Sequence, residues 1–188
     1  MNHTNLSAVS SDYLETYDAI VDRMIHLSES VSESGNITKD FIYQMIPHHM
    51  AAIEMSQNLL RYTTFIPLQN MAENTVRSQT KSISDMRTVL ASCGCHTNSE
   101  ADAQKYNRCS ARAMEQMFAE MKAAPRGNTI NANFIREMIP HHLGGIRMAQ
   151  CALAFPICDA LAPMLVEMIK SETEEIKMMR RLYRYAVC

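Results

Sequence analysis

The sequence contains no tryptophan, and its aromatic residues amount to only 6%. Aromatic rings can therefore supply little of its core. Glycine occurs 5 times and proline 6 times, so long loops should be few. Neither sign of charge prevails: 18 Lys and Arg stand against 20 Asp and Glu, a formal net charge of -2. That balance predicts no strong attraction to nucleic acid or to an anionic membrane. No run is long and apolar enough to span a bilayer, so membrane insertion is not expected. Residues Met1 to Ser11 are polar and lack an apolar signal core. This predicts a cytoplasmic protein if the chain is complete and an extracytoplasmic one if a signal has been removed.

Several catalytic signatures are missing as well. There is no Gly-rich phosphate loop and no His-Glu-x-x-His, and no Ser or Cys nucleophile beside a positioned base can be identified. The chain reads as a non-enzyme.

What is present in excess is methionine, 16 residues in 188. A thioether is a flexible core filler and also a soft ligand that prefers copper(I). Position has to decide between the two. Cysteine occurs 6 times. An even number permits three disulfides, but a chain of this length can fold without staples. Reduced core thiols are expected for most. Cys93-Gly94-Cys95-His96 forms a separate short cluster that could chelate copper or zinc; an exposed loop or a redox-sensitive pair fits it equally.

The main fact is a duplication. Phe41–Gln57 matches Phe134–Gln150 at an offset of 93 residues, with ten of seventeen positions identical. The offset continues without a gap, pairing Met71 with Met164, Ser78 with Ser171, Ile83 with Ile176 and Met86 with Met179. Upstream it pairs Met24 with Met117 and Tyr13 with Tyr106, though the match there is weak. Residues 1–92 form one repeat, 93–99 a linker and 100–188 the second repeat.

Apolar periodicity predicts three helices in each half. Ala19, Ile20, Met24 and Leu27 mark the face of the first. The second is capped by Thr38 or Asn36 and runs to about Tyr62. The third starts at Pro67 and runs to about Ala91. The second half repeats this at roughly Ala101–Lys122, Asn131–Phe155 and Asp159–Val187. The fold class expected is all-α, with duplicated three-helix units forming a helical bundle with pseudo-twofold symmetry.

The motif Met-Ile-Pro-His-His recurs at Met45–His49 and Met138–His142, each followed by a methionine at Met55 or Met148. On a helix, residues three, four and seven apart share a face. That aligns Met45, His48 and Met55, and likewise Met138, His141 and Met148. Ala52 and Gly145 lie between and leave room beside the histidine. His49 and His142 point about 100° away, toward a different partner or a second site. Pro47 and Pro140 either bend their helices or begin them. With short connections the third helix of each half runs antiparallel to the second, carrying Met86 toward His48 and Met179 toward His141. Thioethers with imidazole form a soft donor set that suits copper(I), with silver(I) as its mimic. A di-iron bundle is excluded because neither histidine pair has a glutamate three residues ahead, and Glu54 pairs with Arg147 across the offset.

At these residues the chain resembles domain-of-unknown-function family three hundred and five, a ferritin-like group that includes bacterial copper-binding proteins. Both Met-Ile-Pro-His-His motifs fit the family pattern, as does Glu175-Ile176-x-x-Met179. Ser82-Ile83-x-x-Met86 keeps the Ile and Met but lacks the Glu. The resemblance covers roughly residues 38–91 and 131–185. It implies a ferritin-like fold, a copper role of the kind some members have, and export.

Three functions compete at this level. Copper(I) binding for storage, buffering or delivery is the leading one, through Met45, His48, His49, Met55 and Met86 and their counterparts Met138, His141, His142, Met148 and Met179. A Met-rich protein-interaction module without metal is the alternative, since such surfaces adapt to partners. A copper or iron enzyme would need an open coordination position and a substrate pocket. The partners expected are a metal ion, a copper donor or acceptor protein, and a second copy of the chain.

Overall fold

The computed structural model describes residues 6–93 and 97–186. Among them are six α-helices and no strand: α1 (Ala8–Glu29), α2 (Ile37–Leu60), α3 (Ile66–Ser92), α4 (Glu100–Lys122), α5 (Ile130–Leu153) and α6 (Ala162–Ala186). The chain is all-α and packs as a helical bundle. No helix among the described residues is long and apolar enough to cross a membrane.

Local chemistry fixes most of the boundaries. Ser7 and Ser99 cap α1 and α4 by accepting the backbone N–H three residues on. Asn36 does the same for α2 through Lys39 N–H. Thr38, the other predicted cap, instead accepts from the backbone N–H of Cys158 and ties α2 to the connection before α6. Pro67 lies in the first turn of α3, where its missing N–H costs nothing. Pro47 and Pro140 lie inside α2 and α5, which begin ten residues earlier at Ile37 and Ile130. The helices do not start at the prolines.

The buried stripe of α1 is Tyr13, Leu14, Tyr17, Ile20, Val21 and Met24. Ala19 and Leu27, expected on that face, are exposed. The rings of Tyr13 and Tyr17 can go under because their hydroxyls donate inside the protein, to Glu137 and to the Met121 carbonyl.

α2 packs against α1 and α3, and α5 against α4 and α6. The halves meet chiefly where α2 lies against α5, with a smaller contact between α3 and α6. Contacts across this seam come in reciprocal pairs under the 93-residue offset. Tyr13 donates to Glu137 Oε2 at 2.8 Å, and Tyr106 donates to Gln44 Oε1 at 3.0 Å. The weak Tyr13–Tyr106 match in the sequence thus marks a cross-half hydrogen bond.

Among the described residues there are two disulfides, Cys93–Cys158 and Cys109–Cys151. This overturns the expectation of reduced core thiols for these four residues. Packing of α4 on α5 brings Cys109 and Cys151 to a Cα separation of 5.8 Å, and Cys93 and Cys158 stand at 6.1 Å. Both lie inside the range a disulfide spans. The duplication hid them: the offset places Thr16 and Asn58 opposite Cys109 and Cys151. With Cys93 bonded to Cys158, it is not a free thiolate for a chelate with Cys95 and His96. The latter two lie outside the described residues.

Candidate metal centre

All ten residues singled out in the sequence are buried: Met45, His48, His49, Met55 and Met86, and Met138, His141, His142, Met148 and Met179. The α2–α5 seam joins the four histidines into one row. The His48 and His141 rings stack with centroids 3.7 Å apart and planes 24° from parallel. His49 and His142 flank them at 5.9 and 5.8 Å. The two motifs therefore meet at one centre rather than standing apart in separate halves.

The stacked pair is locked by its own backbone. His48 Nε2–H donates to the His141 carbonyl at 3.1 Å, and His141 Nε2–H donates to the His48 carbonyl at 3.1 Å. A carbonyl only accepts, so each Nε2 carries the hydrogen and each Nδ1 of the neutral ring keeps a bare lone pair. Burial pushes the His48 imidazole down to about 3; the His141 carbonyl bond and the nearby His142 charge are smaller influences. His141 is held well below its ordinary value, again by burial first and then by His48 and His142. Both rings are neutral at physiological pH. Both Nδ1 atoms are buried with no hydrogen-bond partner. An unsatisfied buried acceptor costs on the order of 1–3 kcal/mol, so each asks for a function.

The outer histidines differ from one another. His142 Nε2 lies 2.9 Å from Glu175 Oε2. Burial opposes its charge, but the Glu175 hydrogen bond and the carboxylates of Glu172 and Glu175 outweigh that and raise its pKa. Glu175 is lowered to match: burial works against its charge, and the bond to His142 prevails. His49 meets Ser82 instead, with Nε2 3.0 Å from Oγ. Burial and the neighbouring histidines hold it well below its ordinary value. Ser82 and Glu175 are equivalent under the offset, so the missing acid noted in the first half becomes a hydroxyl facing the same kind of ring.

Sequence reasoning missed Gln79 and Glu172, also equivalent under the offset. Gln79 donates to Glu172 Oε1 at 3.3 Å, while Gln79 Oε1 and Glu172 Oε2 have no partner. Burial raises Glu172 to about 7, against the opposing pull of His142 and the Gln79 hydrogen bond. A signal existed: Gln79 lies four residues before Ile83 and seven before Met86, a polar residue in register with the apolar stripe.

The room beside Gly145 is filled by His48 from the opposite half and by Glu172 from its own. A Cβ there would come within 2.8 Å of His48 Cε1 and 2.9 Å of Glu172 Oε2. The small residue makes space for His48, not for its own neighbour His141.

Among the described residues, no group of three or more His, Cys, Asp and Glu is arranged to hold a metal ion. The buried methionines of the same core are soft donors of another kind. A family model described as Domain of unknown function (DUF305) matches residues 23–90 and 38–183. The chain belongs to this family. The longer match spans most of its length and contains both histidine pairs, Gln79 with Glu172, and both described disulfides. No curated protein and no solved structure matches this member of the family.

Proposed function

We propose that the protein binds copper(I) for storage, buffering or delivery, using imidazole and thioether donors, and that it is a binding protein rather than an enzyme. One observation carries the reading. His48 and His141 each present a buried, unpartnered Nδ1 lone pair, oriented by a backbone bond on the opposite nitrogen. A ligating histidine is commonly held this way, its second nitrogen fixed by a carbonyl. Six of the buried methionines on the four helices α2, α3, α5 and α6 would supply soft donors, and neutral donors favour a soft monovalent ion. Met45, Met55 and Met86 would serve with His48, and Met138, Met148 and Met179 with His141. His49 and His142 would complete or orient the set. The disulfides suit a compartment where thiols oxidise.

The test is a titration with copper(I) against a competing chelator, counting metal per chain, with silver(I) as a redox-inert check. The wild type should hold at least one ion. The His48→Leu/His141→Leu variant should lose it while keeping its helical circular dichroism. A wild type that takes no metal from the chelator would defeat the reading and favour a Met-rich docking module. So would a double variant that binds unchanged.

A further inference from the structure

A cavity of about 480 Å³ opens at the surface between α3 and α6. Its lining includes His49, Gln79, Ser82 and Glu172 from the interior and Met164 and Met168 from α6. Three of the buried side chains carry polar atoms without partners: His49 Nδ1, Gln79 Oε1 and Glu172 Oε2. Met164 and Met168 are four residues apart, so their thioethers share one wall. Both are half-buried, unlike the ten buried candidate ligands.

The other half has no such wall. The offset sets Met71 opposite Met164 and Thr75 opposite Met168. Met71 is buried. The Thr75 hydroxyl donates to Glu175 Oε2 at 3.1 Å, and that carboxylate takes the His142 Nε2 hydrogen. A hydrogen-bond chain thus occupies the place that on the His49 side is open and lined with thioethers.

We infer that the α3–α6 cavity is the loading site for the soft ion, where Met164 and Met168 take it from a carrier and pass it inward past His49. This rests on the copper(I) reading above. The cavity lies in the size range of small-molecule sites and is far larger than a bare ion needs. An ion can therefore arrive still holding a ligand from its carrier. Each step is ligand exchange: a bond from copper to the carrier ligand breaks as a bond to a thioether forms, and no electron is transferred. At its rim Asp85 pairs with Lys81 and Glu167 with Lys170, so these charges balance and do not repel a cation.

The experiment is stopped-flow uptake of copper(I) from its coloured bicinchoninate complex. The Met164→Leu/Met168→Leu variant keeps side-chain volume. It should load at least tenfold more slowly than wild type, with the same final occupancy and affinity. Met178→Leu, at an exposed position on the same helix, should load at the wild-type rate. Met164→Leu and Met168→Leu alone should each slow uptake, which keeps the test open if the double variant does not fold. Unchanged uptake in these variants would overturn the loading site while leaving copper binding intact. Slower uptake with reduced occupancy would also overturn it, by making the two residues resting ligands. A wild type that binds no copper would remove the underlying reading itself.

Discussion

His48 and His141, one from each half of the chain, lie face to face at 3.7 Å and each donates from Nε2 to the other's carbonyl. Neither ring can turn without breaking a bond to the opposite helix. Orientation of both lone pairs is thus a property of the α2–α5 seam and not of either half alone. His48→Ala leaves the carbonyl that accepts from His141 Nε2 but removes the ring on which His141 stacks, so it is expected to weaken copper(I) binding by more than half of what the double replacement costs. The check is a double-mutant cycle on chelator competition, where strictly additive losses would contradict the coupling.

Gly145 makes a second prediction. Its Cβ would meet an oxygen of Glu172 and the edge of His48, and the His48 ring is held in place by its stack on His141 and its bond to the His141 carbonyl. Gly145→Ala should destabilise the fold by about 1–3 kcal/mol through overpacking. Gly127→Ala, where an added Cβ meets nothing within 4 Å, should stay within about 0.5 kcal/mol of wild type. Urea denaturation of the two variants measures the contrast.

A third concerns pH. Glu137 is buried and raised to about 7, by burial first, with Tyr13 and Arg126 pulling it down, Asp18 pushing it up and Arg136 pulling it down. Its folded pKa lies above the unfolded value, so its contribution to stability is fullest below about 4.5 and falls as pH rises toward 7. Glu137→Gln keeps an oxygen for the Tyr13 hydroxyl and removes the charge. It should gain on wild type across that window, by at most about 3 kcal/mol at pH 8. Thermal melts at pH 5 and pH 8 would show the gap widening; a constant gap would contradict it.

The disulfides give a fourth. They close loops with sequence separations of 42 and 65, and each should contribute about 2–4 kcal/mol by restricting the unfolded chain. Melting with and without reductant should show a lower midpoint when reduced. Thiol counting on the denatured, unreduced protein should find at least four cysteines protected.

The architecture was legible in the sequence because one signal reported it twice. The histidine motif, its apolar neighbours and the offset that pairs Met86 with Met179 fix six helices and place both histidine pairs on buried faces. Less legible was anything that depends on one half touching the other. Periodicity shows that His48 faces inward, but not that it faces His141, because that contact belongs to the seam. Glu137 differs from its counterpart Gln44, although each accepts from a tyrosine of the other half, since that hydrogen bond needs an acceptor rather than an identical residue. Gln79 and Glu172 were passed over because polarity in an apolar stripe reads as surface until burial is known. The cysteines of both described disulfides have no cysteine opposite them across the offset, so repetition could not reveal their partners.

The Cys93–Cys158 bond has a consequence for how the chain survives damage. It joins the end of α3 to the segment just before α6, and the whole connection between the two halves lies within the ring it closes. A protease that cuts between Cys93 and Ser99 therefore cannot release either half. The fragments stay tethered, keep their high local concentration across the α2–α5 seam, and part only after a reducing agent opens the ring.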